Sequence, residues 1–534
     1  MAPLRAAASQ QGLPLSGACP WWGRPLAQGI LLEHDETILF IGILDVPSID
    51  QERGPQVAAA LGLDPAAVLL LPSGARPGPA LGEAAVASLC DQARALAGQL
   101  RPARLRPLSG HRWRLAALAD PAGSAWGARL ERRSTELAGS RPDAALARLV
   151  EARNDRSVPP GLPWSEGMVD ARFEGLLIED RDEGTALAVL TTLRAALPAP
   201  ARTDRPSAGP LHHARAVAAR RLWRTTRTHP PVVAITAAIS ADAALRCGTE
   251  PAEGRRLGED LGRAVADAVG AAGAPLEDGL ALGRAVVRPA AAPVRGGDGQ
   301  LPPEPAPLGR PDRGLPGDLG AAAALAEDVV VHRVVLGGRE LRALPAQLST
   351  GLASRVPPSV LLVGPTGGHI GAACTAREHD KSRLGPWCPW GREAGRWLLE
   401  QEPPTAPCPG ALAPAEPPPV PPPVPGRQAV LRLHRHTPGR SAPTTLRLEV
   451  EWVGDPVATT GPWIALHRED GPLLWEGAPV DDLHQTMLIE SRPHGDSVQW
   501  RARWSLPLPR RWSGRMLTAR LAPWGLETEP RKVP

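Results

Sequence analysis

Histidine is the side chain best suited to hold a metal or move a proton near neutral pH, and two pairs lie close in this chain: His212 with His213, and His434 with His436 across Arg435. Zinc needs three or four converging donors. Neither pair has a carboxylate or cysteine at ligand spacing, so both are expected to lie on solvated faces. Six cysteines (Cys19, Cys90, Cys247, Cys374, Cys388, Cys408) are scattered with no C-x-x-C pair and no zinc-finger spacing. They read as free buried thiols of a reducing compartment. The glycine-rich VLLVGPTGGHIG lacks the G-K-[ST] of a phosphate loop, and no G-x-S-x-G elbow points to a serine hydrolase. The basic, aromatic WRARWSLPLPRRWSGR could meet a membrane surface. On a β-strand, however, alternation sends its Trp inward and its Arg outward, which predicts core packing.

The elements that must position such groups belong to a chain of 534 residues, longer than one hydrophobic core usually organises. Tyr is absent, and there are only two Phe (Phe40, Phe173), two Lys (Lys381, Lys532) and one Asn (Asn154). All of these have AT-rich codons, so the gene is inferred to be very GC-rich. Arg then replaces Lys through codon usage, not through selection for phosphate. A net charge of +4 with no basic run argues against nucleic acid as a partner. No apolar run reaches the ~20 residues of a membrane helix, and no basic-then-apolar leader opens the sequence. A soluble, cytoplasmic protein is therefore expected, unless a misassigned start hides a leader.

Proline is dense over 402–426, which favours an extended, semi-rigid spacer. This divides the chain into an N-terminal domain (1–401), a Pro-rich linker (402–426) and a C-terminal domain (427–534). In the first, strand-like and helical runs alternate, the pattern of an α/β or mixed α+β domain. A hairpin is expected over 30–46, a helix end feeding a buried strand over 64–74, and a helix over 82–100. A second hairpin should fold around RDEG (181–184), with a buried strand over 232–240 and a helix over 255–273 ending in Gly. Further strands are expected in VVVHRVVLGGRELRAL and PSVLLVGPTGG. After the spacer, short alternating strands with turn-rich gaps suggest an immunoglobulin-like β-sandwich.

Taken in order, several segments resemble the neutral/alkaline non-lysosomal ceramidases over essentially the whole chain. PLSGA (14–18) and GILD (42–45) are similar to the family's PLAGY-like turn and its strand ending in S-L-D. VLLLPSGARPGP (68–79) follows the strand that runs into T-H-T-H-S-G-P, and DEGTALAVLTTLRAALP (182–198) the hairpin that leads to a His-Pro. AISADAALR (238–246) resembles the G-D-V-S-P nucleophile turn, LPAQ (344–347) the L-P-G-E segment, and 363–391 the Tyr-rich segments. In the C-terminal region, the paired Asp481 and Asp482 and the W-x-x-P signature agree as well.

The resemblance implies a zinc ion held by two His, one Glu and one Tyr, with a Ser nearby. At the matching positions stand Gly74 and Arg76 for the two His of T-H-T-H, and Leu197 for the His of His-Pro. Gln347 stands for the Glu, His369 and Ala372 for the Tyr pair, and Ala244 for the Ser. Gly, Leu and Ala have no lone pair to donate, and a guanidinium is a permanent cation that repels a metal. Gln keeps an acceptor oxygen but lacks the charge that offsets Zn²⁺. Asp242 falls on the family's G-D aspartate, and Asn154 and Arg156 resemble its N-R loop. GC pressure can remove a Tyr or an Asn. It does not explain the missing ligand His, because His has GC-compatible codons and thirteen remain.

The resemblance therefore implies a ceramidase-like pseudoenzyme that binds no zinc cofactor. Its cleft would take a sphingolipid, another N-acyl lipid or a protein partner. Two other classes stay open: an active N-acyl-lipid amidohydrolase rebuilt around Arg76, Asp242 or His369, and a structural or interaction module built on the sandwich and spacer.

Overall fold

A computed structural model describes residues 2–14, 21–46, 49–73, 82–111, 116–118, 172–193, 209–226, 230–237, 243–245, 251–288, 328–353, 355–357, 359–368, 372–376, 379, 390–412, 428–436, 444–457, 459–495, 497–508 and 512–534. The architecture is mixed α+β, mostly sheet with few helices.

The apolar run around Phe40 forms a hairpin of Leu26–His34 with Thr37–Leu44. Asp35, with φ of 51°, supplies the left-handed conformation that a two-residue turn needs. Every residue of Thr37–Leu44 is buried, the mark of a strand covered on both faces. An eight-stranded sheet grows around this hairpin in the spatial order 232–237, 186–193, 172–180, 101–111, 5–12, 26–34, 37–44, 68–72. Its two outermost pairings are parallel and the remainder antiparallel. Only two residue pairs, Arg5↔Pro102 and Ala6↔Arg101, join its halves. The sheet bends there, and its edges meet. Thr236 Oγ1 donates to Pro72 O at 2.6 Å and Gln28 Nε2 to Val233 O at 2.6 Å, linking one edge to the other half.

Helices Arg53–Leu61 and Glu83–Ala97 pack on the half containing the hairpin, and Gly209–Thr226 and Pro251–Gly270 pack on the other. The last two touch at the backbone. A Cβ at Gly258 would lie 2.6 Å from Pro210 O, and one at Gly262 would lie 2.5 Å from Ala214 O. Glycine at this i, i+4 spacing is therefore what lets the helices approach. A second sheet, in the order 280–287, 329–336, 339–343, 360–363, packs beside the first.

The beginning of the Pro-rich stretch lies along this N-terminal body. Leu282 and Ala406 exchange both backbone hydrogen bonds, at 2.9 and 3.0 Å, and Gly410 N donates to Glu36 O. Glu402 accepts from Arg342. Gly283 makes room, since a Cβ there would sit 2.5 Å from Pro404 O.

The C-terminal region has two sheets. One runs 428–436, 445–453, 497–507, 488–494 and takes Trp21–Trp22 from the N-terminal region as its fifth strand. The other is built on 465–468 and 516–521. Between them Trp452, Trp463, Trp500 and Trp524 pack with ring centroids 5.2 to 6.5 Å apart. Along Ser497–Pro507 the alternation is as expected: Trp500, Ala502, Trp504 and Leu506 are buried, while Arg501 is exposed and pairs with Glu449.

The expected hairpins, the buried strand at 68–72 and the helix at 83–97 are all present. The later helix spans Pro251–Gly270 instead of 255–273, because Pro251 suits a first helical turn. Among the elements the sequence did not reveal are strands Arg5–Gly12, Arg101–His111 and Leu280–Val287, and helix Gly209–Thr226. Arg101–His111 contains Pro107, which normally argues against a strand. Leu105 O and Pro107 O accept from Leu276 N and Gly273 N, on the side away from strand 172–180. Pro107 therefore costs the ladder no hydrogen bond.

The C-terminal region is fastened by Arg24. Its guanidinium donates to Gly461 O at 2.6 Å, to Asp482 Oδ2 at 2.9 Å and to Thr459 O, and it lies 5.5 Å from the Trp463 ring. Both partners of the ion pair are fully buried, so Arg24→Ala leaves a carboxylate without water or counter-ion. The expected loss is about 3–5 kcal/mol, read from urea denaturation. A change below about 1 kcal/mol would refute this role.

Candidate functional site

The parallel strands bring several chain ends to one rim. Leu44 lies opposite Pro72, and Leu193 opposite Ala237. Thr236 Oγ1 holds Pro72 O, and Thr366 Oγ1, from the turn after Val360–Val363, donates to Leu70 O. Ser73 N donates to Leu44 O at 2.8 Å. Four strands thus end together, and these buried hydroxyls are committed to backbone oxygens.

From this rim depart the segments that carry the residues singled out in the sequence. Gly74 and Arg76 follow Ser73, Leu197 follows Leu193, Asp242 follows Ala237, and His369 follows the turn at Thr366. Gly74, Arg76, Leu197, Asp242 and His369 themselves lie outside the described residues, as do Asn154 and Arg156. Ala244 is in the short strand Ala243–Leu245, paired with Ala117 of Ala116–Leu118. Gln347 and Ala372 are brought together as register partners in the parallel pair Gln347–Leu348 and Ala372–Ala373. Gln347 is 3% exposed, and among the described residues its buried Oε1 has no hydrogen-bond partner.

Two of the positions matched to the metal shell are described. Gln347 offers a neutral amide where a carboxylate would balance the ion, and alanine offers no donor. Among the described residues no three His, Cys, Asp or Glu side chains gather as a metal site would require. Cys90, Cys374 and Cys408 form no disulfide; the first two are buried and Cys408 half-buried.

Next to the rim, Asp45 is buried and accepts from both Leu26 N and Arg215 Nη1, the latter at 2.8 Å to each carboxylate oxygen. Arg215 Nη2 reaches Ile235 O. The resemblance had marked Asp45 only as a strand end. Its partner was unnoticed, although Arg215 follows His212 by three residues and so shares its helix face.

The His212–His213 pair corrects the expectation of a solvated face. His212 is 1% exposed, where helix Gly209–Thr226 meets the C-terminal region. Its Nε2–H donates to Asp482 O, and its Nδ1 accepts from Thr486 Oγ1, both at 3.2 Å. This is the pattern of a neutral ring. Burial accordingly holds its pKa down to about 4, against an ordinary 6.5. His434, in contrast, is exposed as expected.

With this geometry established, two solved structures are similar to the chain. The crystal structure of neutral ceramidase from Pseudomonas aeruginosa aligns over 100% of this chain and 99% of its own, with a TM-score of 0.63 and 13% identity. A ceramidase complexed with C2 aligns over 99% of both chains, with a TM-score of 0.61 and 13% identity. The chain has the neutral ceramidase fold. No protein-family model and no curated protein matches the sequence.

Two measurements test the site. Burial also holds His332 down, to about 3, with the Arg284 cation adding to the effect. In the unfolded chain both His212 and His332 take up a proton below about 6.5, whereas in the fold they do so only near 4 and 3. Stability is therefore complete above pH 6.5 and falls as the pH drops toward 4. The slope reaches about 1.4 kcal/mol per pH unit for each histidine, and urea midpoints at pH 7 and pH 5 should show it. A flat profile would contradict the assignment. Separately, Gln347→Leu removes an unsatisfied buried oxygen and should be neutral or stabilising by about 1 kcal/mol. A clear loss of stability would mean that the amide has a partner.

Proposed function

We propose that this chain is a non-catalytic protein on the ceramidase fold, a pseudoenzyme that has lost zinc-dependent hydrolysis of N-acylsphingosine. Its cleft would take a sphingolipid, another N-acyl lipid or a protein partner. The reading is supported by one observation above all. Gln347, at the position the resemblance matches to the Glu ligand, and Ala372, one of the two positions matched to the Tyr pair, are neighbours across a parallel pair. Their adjacency supports the correspondence. Their chemistry removes a charge and a donor; of the remaining matched positions Gly74, Arg76 and Leu197 supply none, and the single donor left at His369 is short of the three or four that zinc needs.

We read residues 1–401 as the ceramidase-like domain, 402–426 as linker and 427–534 as an immunoglobulin-like sandwich. Two packed antiparallel sheets around a tryptophan core support that last reading. Among the described residues no helix is long and apolar enough to cross a membrane.

Elemental analysis of purified protein, paired with hydrolysis of a fluorescent N-acylsphingosine, tests the proposal. Zinc far below one atom per chain and no hydrolysis are expected. Near-stoichiometric zinc would overturn it. Turnover without zinc would instead support a rebuilt amidohydrolase using Arg76, Asp242 or His369. Lipid binding that survives deletion of 427–534 would disfavour a module working through its sandwich.

A further inference from the structure

A cavity of about 260 Å³ lies where helix Gly209–Thr226 and strand Arg5–Gly12 meet the loop around His484. It opens beside Val232 and Val233, at the start of the strand whose other end, Ala237, reaches the rim. It is therefore separate from the candidate cleft.

Arg215, Arg220, His212 and His484 line it, and among the described residues no Asp or Glu does. The counter-ions stand behind these groups. Asp45 holds Arg215 Nη1 at 2.8 Å, Glu476 lies 3.4 Å from Arg220 Nε, and Asp481 Oδ1 is 2.7 Å from His484 Nδ1. Trp475 stacks on the Arg220 guanidinium at 4.2 Å and fixes its plane. Arg215 is 3% exposed, held by Asp45 and Ile235 O, so its guanidinium is a fixed part of the wall. The other walls are apolar, with Leu26, Ala216, Ala219 and Leu483 among them.

We propose that this cavity binds a small organic monocarboxylate. A planar carboxylate matches guanidinium donors, and the apolar walls suit a short hydrocarbon body. Inorganic phosphate is disfavoured because the apolar walls leave its remaining oxygens without hydrogen-bond partners. The volume excludes a long acyl chain, so the ligand is distinct from any lipid in the cleft.

Calorimetric titration of the full chain with sodium hexanoate tests this. Saturable binding is expected, with 1-hexanol and inorganic phosphate weaker by about tenfold or more. Ala219→Phe fills the cavity and should abolish binding while far-UV dichroism stays that of the wild type. If that variant does not fold, Arg220→Gln should weaken hexanoate by about tenfold. Absence of saturable binding to the wild type overturns the proposal. So does equal affinity for hexanol, or undiminished binding in whichever variant folds.

Discussion

A guanidinium group withdrawn from water must find oxygen atoms to replace it, and two such groups determine how this chain is assembled. Arg24 gathers two backbone oxygens and the Asp482 carboxylate, 458 residues along the chain. Arg215 gathers Asp45 and Ile235 O, joining the helix to the hairpin and to strand 232–237. Desolvation of such pairs is repaid only when the geometry is nearly complete. Each therefore adds little net stability but rejects other arrangements strongly. Together with Trp21–Trp22 in the C-terminal sheet and His212 against Thr486, they make the two regions one body.

This rigidity bears on function. The rim is built from backbone and hydroxyl contacts that need no metal: Thr236 to Pro72, Thr366 to Leu70, Ser73 to Leu44. A framework that holds itself together can lose the ligands of a catalytic ion without losing its shape. That is the physical basis for reading the cleft as a retained form with altered chemistry. Gln347 lies beside this framework, its buried oxygen without a hydrogen-bond donor among the described residues.

Codon pressure limited what could be read in advance. With no Tyr, two Phe and one Asn in the chain, the segments resemble the family in spacing more than in identity. Spacing was enough for the hairpins, the helix at 83–97 and the order of segments that resembles the ceramidases. It was not enough for Arg5–Gly12, whose Ala, Ser and Gln carry no strand preference. Nor did it reveal Arg101–His111, where Pro107 is tolerated only because its nitrogen faces away from the neighbouring strand.

The sequence alone determined what each side chain can donate: a methyl, a hydrogen or a guanidinium offers a metal no lone pair, whatever surrounds it. It also determined the alternation that buries Trp500 and Trp504 and exposes Arg501, because a pleated strand leaves no other choice. Tertiary structure decided the environment of each polar group. His212 and His213 have the same side chain and adjacent numbers as any surface pair. Only the approach of the loop at 482–486 made His212 a neutral, buried clasp, since burial depends on residues hundreds of positions away. The same holds for Gln347 and Ala372, which became neighbours only when two short strands aligned.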